Sequence, residues 1–405
     1  MGLTVTLADI QDAKSELQKW VLPSPLIRNS WISDSMGCEV YLKLENMQPI
    51  GSFKLRGATY AISKLSRAQK RRGVIAASAG NHAQGVAWAS KQLGVKALIV
   101  MPLSAPIVKV QNTRDLGAEI LLHGESYHDA FQEARKIARK TGRVFIHAFE
   151  DAHIIAGQGT VGLEILEDLP DVDAIISSVG GGGILAGIAC VMKDLKPSVK
   201  LFGCQAQGAP SMALSLKKGR AVKLDRVDTF ADGVAISQAS ESLRKMLVHQ
   251  LTGFVLADDE EIAASVLTLL EKAKTVAEGS GALPLAALEK IKGKLSGKKV
   301  VLIISGGNID VNVLSRIIDR GLIRAGRRVR VNAHISDRPG SLARLTDLIA
   351  REGANVIQAI HDRSEPSTMI DQTDVALTLE TRGPEHSAKL IRALRNHAIR
   401  LDFAH

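Results

Sequence analysis

Apolar runs and helical patterns alternate along most of the chain. Residues 74–77, 97–101, 120–122 and 144–146 are short continuous apolar runs, and each reads as a buried strand. Between them, residues 82–93, 107–116 and 127–140 carry apolar side chains at helical spacing. The alternation resumes with strands predicted at 174–176, 201–203, 253–256 and 299–304. Strands of this kind, separated by helices, are parallel and covered on both faces. The pattern predicts an α/β fold, with two lobes.

The tail follows a different rhythm. Val329, Val331, Ala333 and Ile335 alternate with Arg328, Arg330, Asn332 and His334, which predicts a strand with one apolar face. A helix is expected over 342–349, strands over 355–360 and 373–380, a helix over 386–396 and a last strand over 399–403. The order βαββαβ is the ferredoxin-like arrangement, with two helices on one face of the sheet.

Composition narrows the function classes. With 45% hydrophobic and 23% charged residues among 405, the chain is an ordinary globular protein and neither disordered nor fibrous. The formal charge of +10 raises the question of nucleic acid. Half of it sits in residues 315–330, where six arginines face one acid, Asp319. That concentration reads as a solvated linker, with a domain boundary near 320–328. Only 3% of the chain is aromatic, too little for a base-stacking surface. No nucleic-acid partner is expected.

Three scattered cysteines, Cys38, Cys190 and Cys204, form no disulfide framework and fit a cytoplasmic location. Residues 174–192 lack charge over 19 positions, but glycines 180–183 divide them into strand, loop and helix rather than a membrane span. Met1-Gly2 with Thr6 fits a loose myristoylation pattern that has no second anchor beside it. No membrane partner and no signal peptide are expected.

Three segments carry candidate chemistry. Lys54 stands between Phe53 and Leu55 at a predicted helix start just after Gly51. Most lysines are solvated, yet one held in a desolvated pocket has a lowered pKa and forms Schiff bases. Residues 78–85 open a helix directly after a strand, so their N–H groups would receive a carboxylate or phosphate. Helix capping by Ser78 or Asn81 is the alternative. Gly180, Gly181, Gly182 and Gly183 also join a strand to a helix, and such a loop closes round a phosphate without side-chain interference. Their spacing is wrong for a Rossmann G-x-G-x-x-G, which favours a smaller phosphate ligand.

Together these segments resemble the pyridoxal 5′-phosphate (PLP) enzymes of fold type II, and within them the threonine dehydratases (threonine ammonia-lyases). Leu44-Glu45-Asn46-Met47-Gln48 with Gly51-Ser52-Phe53-Lys54-Leu55-Arg56-Gly57-Ala58 resembles the family's Schiff-base segment. Residues 78–85 resemble its asparagine loop, 180–183 its phosphate loop, and Ser305-Gly306-Gly307-Asn308 its closing segment. The likeness runs from about residue 7 to 319, and residues 327–405, with Asp337-Arg338-Pro339-Gly340-Ser341-Leu342, resemble an ACT domain.

The resemblance implies a two-lobed, tryptophan-synthase-β-like catalytic domain over 1–320, its smaller lobe near 53–150, and a regulatory ACT domain over 327–405. It implies that Lys54 binds PLP covalently and removes the substrate α-proton. Phe53 and Asn81 would contact the cofactor, Gly180 to Gly183 its phosphate, and Ser305 its pyridine nitrogen. Ser78, Ala79, Asn81 and His82 would surround the substrate carboxylate, with His82 expected to pack or cap rather than catalyse. The implied reaction converts L-threonine to 2-oxobutanoate and ammonia, in isoleucine biosynthesis or threonine breakdown, with L-serine as a weaker substrate. Asp337, Arg338, Gly340 and Asn355 would bind an amino-acid effector, isoleucine first and valine as antagonist, in a homodimer or homotetramer.

Rival readings are serine racemase, which needs a hydroxyl where Ala79 stands, a cysteine-synthase-like enzyme, which carries threonine in place of His82, and a catalytically silent amino-acid sensor. The racemases' two metal-binding acids align with Gln205 and Ser211, so no metal is expected there. The pairs His123/His128 and His147/His153 are expected to lack acidic partners and to bind none.

Overall fold

A computed structural model describes residues 3–363, 370–397 and 399–403. The Met1-Gly2 pattern lies outside the described residues. The chain divides into two compact units, Met1–Ile309 and Asp310–His405.

The first unit holds two sheets. One has four parallel strands in the order Glu119–Leu122, Ala97–Met101, Val74–Ala77, Val144–Phe145. The other has six, in the order Leu26–Arg28, Glu39–Leu44, Lys299–Ile304, Ala174–Ser178, Lys200–Ala206, Gly253–Ala257. All pairs in it are parallel except the first, which is antiparallel. Every residue of Val74–Ala77 and of Ala174–Ser178 is buried. Each fully buried aliphatic side chain in such strands contributes about 1.5–3 kcal/mol. The strands Leu26–Arg28 and Glu39–Leu44 escape the hydrophobic pattern because Glu39, Lys43 and Arg28 interrupt it. Lys43 is nevertheless 0% exposed, through an ion pair with Glu164.

Helix Ala152–Asp168 lies at the centre of this unit, with a run of buried residues from Ile154 to Ile165. A helix apolar or small all round belongs in a core. Helices Lys54–Ser63 and Gly183–Leu195 both pack on it through glycines. A Cβ on Gly157 would lie 2.6 Å from Gly57 Cα, and one on Gly187 would lie 2.6 Å from Gly159 N.

The second unit is a four-stranded antiparallel sheet in the order Asn355–Asp362, Gln372–Glu380, Arg328–Ser336, Arg400–Phe403. Helices Ser341–Arg351 and Pro384–Asn396 complete the βαββαβ order. Val331, Ala333, Val375 and Leu377 from the sheet meet Leu345, Ile349 and Leu390 from the helices in one core. The arginine-rich segment, expected as a solvated linker, is instead ordered secondary structure. Residues 311–324 form helix Val311–Arg324, which buries Ile317, and Arg328 opens a strand and pairs with Asp319. Leu314, Ile317, Ile318 and Leu322 follow helical spacing between the arginines, and that apolar stripe outweighs the charge.

Candidate active site

Three of the segments singled out above stand at carboxyl ends of parallel strands, where α/β sheets bind ligands. Strand Val74–Ala77 leads into Ser78, Ala79 and helix Asn81–Gln92. Strand Ala174–Ser178 leads into the glycine loop and helix Gly183–Leu195. Strand Lys299–Ile304 leads into Ser305.

Lys54 is the first residue of helix Lys54–Ser63. Its segment is stitched to the Ser305 segment: Phe53 N–H donates to Ser305 O (3.1 Å), Gly307 N–H donates to Gly51 O (2.9 Å), and Ser52 bridges Gly306. The Lys54 ammonium donates to Ala148 O at 2.9 Å and stands 5.2 Å from the centre of the Phe53 ring. Burial lowers its pKa to about 8, with the Glu278 carboxylate opposing the shift.

Helix Asn81–Gln92 starts without a side-chain cap, its cap position being Gly80. Ser78 Oγ accepts from Gly80 N–H at 3.2 Å, so neither Ser78 nor Asn81 caps the helix. Asn81 instead donates from Nδ2 to Glu278 Oε1 (2.8 Å) and accepts at Oδ1 from Asn308 Nδ2 (2.8 Å). Ala79 brings only a methyl group to this loop. His82 turns away from it: the ring is 4% exposed and Nε2–H donates to Ile146 O at 3.0 Å. Burial keeps that ring neutral, with a pKa lowered to about 3.

Glu278 was not apparent from sequence. It accepts from Asn81 and from Ser280 Oγ (2.6 Å), and burial raises its pKa. A Cβ on Gly306 would lie 2.7 Å from its Oε1, so it joins the Asn81 and Ser305 segments. The run Glu278-Gly279-Ser280-Gly281, an acid before small residues at a helix start, is the signal that could have found it.

The glycine loop is tightly enclosed. Gly182 adopts φ +97° at the start of the following helix, whose first N–H groups have no side-chain cap. A Cβ on Gly180 would lie 2.6 Å from Gly233 O, and one on Gly181 would overlap the Phe149 ring. Ser305 is 3% exposed, its hydroxyl 3.4 Å from that of Ser178.

Gln205 and Ser211 are both fully buried. Gln205 Oε1 accepts from the N–H groups of Met212 (3.1 Å) and Ala213 (3.0 Å), at the start of helix Ser211–Lys218. Two histidines do have acidic neighbours, contrary to expectation: His123 lies 3.9 Å from Glu133, and His153 lies 3.8 Å from Asp151. These are pairs, and among the described residues no group of three or more His, Cys, Asp or Glu is arranged for a metal ion.

In the second unit, Gly340 (φ +86°) begins helix Ser341–Arg351 without a side-chain cap. Asp337 pairs with Arg363 (3.0 Å), and Arg338 N–H donates to Ser336 O (2.9 Å). Asn355 does not join them. It lies opposite Glu380, itself opposite Arg328, whereas Ser336 at the loop end lies opposite Gln372. The two places are separated by the length of a strand, roughly 26 Å. Within one unit they cannot share a small ligand.

Residues 17–306 match the family of pyridoxal-phosphate dependent enzymes, and residues 329–396 match the ACT domain. The chain belongs to the pyridoxal-phosphate dependent enzymes. It is 46% identical to the L-threonine ammonia-lyase of Thermotoga maritima over 96% of this chain and 97% of that one. The fold is similar to threonine deaminase isoform 2 from Solanum lycopersicum, with a TM-score of 0.74 and 36% identity over 79% of this chain and 91% of that one. It is also similar to maize serine racemase, with a TM-score of 0.74 and 31% identity over 79% and 98% of the two chains.

The residues present fit the cofactor of this family. An amine of lowered pKa suits carbonyl chemistry. An uncapped helix start behind a loop in which Gly180 and Gly181 leave no room for side chains suits a phosphate. Among the described residues no helix is long and apolar enough to cross a membrane.

Proposed function

We propose that the chain is an L-threonine ammonia-lyase, converting L-threonine to 2-oxobutanoate and ammonia and L-serine, more weakly, to pyruvate. The observation that carries the reading is Lys54, buried on a segment stitched to Ser305, with a pKa lowered to about 8 so that far more of it is neutral than of a solvated lysine. The choice of threonine is supported by the likeness to the Thermotoga maritima enzyme along nearly the whole chain.

When bound, pyridoxal phosphate supplies the electron sink for the pair left at the substrate α-carbon. Lys54 would hold it covalently, the N–H groups of residues 180–183 would bind its phosphate, and Asn81 and Phe53 would contact its ring. The released Lys54 amine would accept the α-proton at Nζ. Ser305 would offer a neutral hydroxyl to the pyridine nitrogen, where a carboxylate would favour its protonation. With that neutral partner the bound cofactor would be a weaker electron sink, which would favour elimination. The uncapped N–H groups that open helix Asn81–Gln92, beside Ser78 and Ala79, would receive the substrate carboxylate. His82, turned to Ile146, would support this loop by packing.

The wider setting belongs to the same reading. The catalytic domain would be the first unit, ending at Ile309 rather than near 320, and the regulatory domain the second, in a cytoplasmic homodimer or homotetramer serving isoleucine biosynthesis or threonine breakdown. Asp337, Arg338 and Gly340 would receive an amino acid such as isoleucine, with Asn355 contributed by a second copy. A keto-acid assay tests the core of it. The purified protein with PLP should form 2-oxobutanoate from L-threonine faster than pyruvate from L-serine, and Lys54→Ala should form neither. Racemisation of serine without keto acid would favour the racemase reading instead.

A further inference from the structure

Two residues beyond Lys54, the Arg56 side chain is 2% exposed and uses all five of its N–H donors. Nε and Nη2 donate to the two carboxylate oxygens of Glu45, each at 2.8 Å. Nη2 also donates to Glu164 Oε2 (2.9 Å), and Nη1 donates to Glu164 Oε1 and to Thr160 Oγ1 (3.1 Å). Glu164 is shared with Lys43, 2.8 Å away and 0% exposed, so two cations and two carboxylates are buried together. Taking four charges out of water costs about as much as their attraction returns, which makes such a cluster a poor source of stability. A bidentate guanidinium does fix orientation closely.

What it orients is the helix that begins at Lys54. Glu45 follows strand Glu39–Leu44, and Thr160 and Glu164 lie on helix Ala152–Asp168. That same helix touches helix Lys54–Ser63 at Gly57 and the helix of the glycine loop at Gly187. Contacts between glycines set how near the two helices stand, and Gly57 N–H donates to Gln158 Oε1 at 3.2 Å. The forked bonds of Arg56 add three to Thr160 and Glu164 on that helix and two to Glu45 outside it, and so fix how one helix is turned on the other.

We propose that Arg56 is a positioning residue: with Glu45, Thr160 and Glu164 it locks the Lys54 helix onto helix Ala152–Asp168 and so sets the place of Lys54 Nζ relative to the loop 180–183. Arg56 acts through Lys54 and not on the substrate. The inference rests on the proposed role of Lys54.

Two substitutions test it. Arg56→Lys keeps the charge and loses the fork, and Thr160→Val, at nearly constant volume, removes one acceptor of Arg56 together with the hydroxyl's own bond to Gly157 O (2.7 Å). For each, folding is checked by circular dichroism. Total bound PLP is measured after alkaline release, and the lysine-linked share from visible absorbance per bound PLP. Arg56→Lys should keep its total PLP but lose part of the linked share. Its kcat for L-threonine should fall about tenfold with KM within about twofold, as a misplaced reacting group requires. Thr160→Val should show the same split at about threefold in kcat. A purely structural role would lower the melting temperature and leave linked share and kcat of the folded protein unchanged, which overturns the proposal. If Arg56→Lys does not fold, Thr160→Val decides alone by the same criterion. A wild-type protein that neither links PLP nor forms 2-oxobutanoate removes the functional reading, and this inference with it.

Discussion

Burial shifts the protonation of both Lys54 and Glu278. Burial lowers the lysine to about 8 while the carboxylate pulls it back up, and burial raises the carboxyl. A base must be neutral to accept a proton, so kcat should rise as pH passes upward through about 8. A flat profile between about pH 6.5 and 9 would contradict that assignment. Glu278→Gln keeps an oxygen for Asn81 and Ser280 but removes the charge, which should move this limb to lower pH. The same change bears on stability. A raised folded pKa means that ionising Glu278 above its unfolded value destabilises the native state. The variant should therefore melt higher than wild type at neutral pH, with the gain closing as pH falls towards about 4.3. Equal melting temperatures across that range would show that Glu278 carries no burial cost. Of these two residues only Lys54 was legible in the sequence, from its apolar neighbours and its place after Gly51. Glu278 acquires its role from Asn81 and Gly306, which the fold brings to it; the local run Glu278-Gly279-Ser280-Gly281 marks a helix start but names neither partner.

Among the elements, strands with continuous apolar runs and the alternating strand of the tail were readable because burial on two faces or on one leaves a period in the sequence. Strand Glu39–Leu44 was not, since a buried ion pair at Lys43 looks like a surface position until its partner is seen. Helix Val311–Arg324 was hidden for a related reason, its arginines masking the apolar stripe between them. The glycine loop was recognisable as a loop, but its crowding by Phe149 and Gly233 was not. That crowding makes a prediction. Gly181→Ala puts a methyl into the Phe149 ring, and displacing the ring should cost about 1–3 kcal/mol. PLP affinity, measured by titrating the apoprotein, should fall by about tenfold or more. Unchanged affinity would mean that this loop does not form the phosphate site.

At the level of the whole molecule, the division falls between Ile309 and Asp310, so helix Val311–Arg324 belongs with the ACT-like unit and not with the catalytic one. Truncation after Ile309 should leave threonine turnover while abolishing any response to branched-chain amino acids. In the full chain that response should shift the half-saturating threonine concentration by about fivefold or more, the usual scale of allosteric coupling. A full-length protein indifferent to isoleucine and valine, in rate and in thermal shift, would leave the unit a purely structural role. The account as a whole depends on one lysine joining cofactor to chain. Borohydride reduction of the PLP-loaded protein, followed by peptide mapping, locates that bond directly. The account predicts a single pyridoxyl group on Lys54 and loss of 2-oxobutanoate formation in the same sample; the label on another lysine, with Lys54 unmodified, would contradict it.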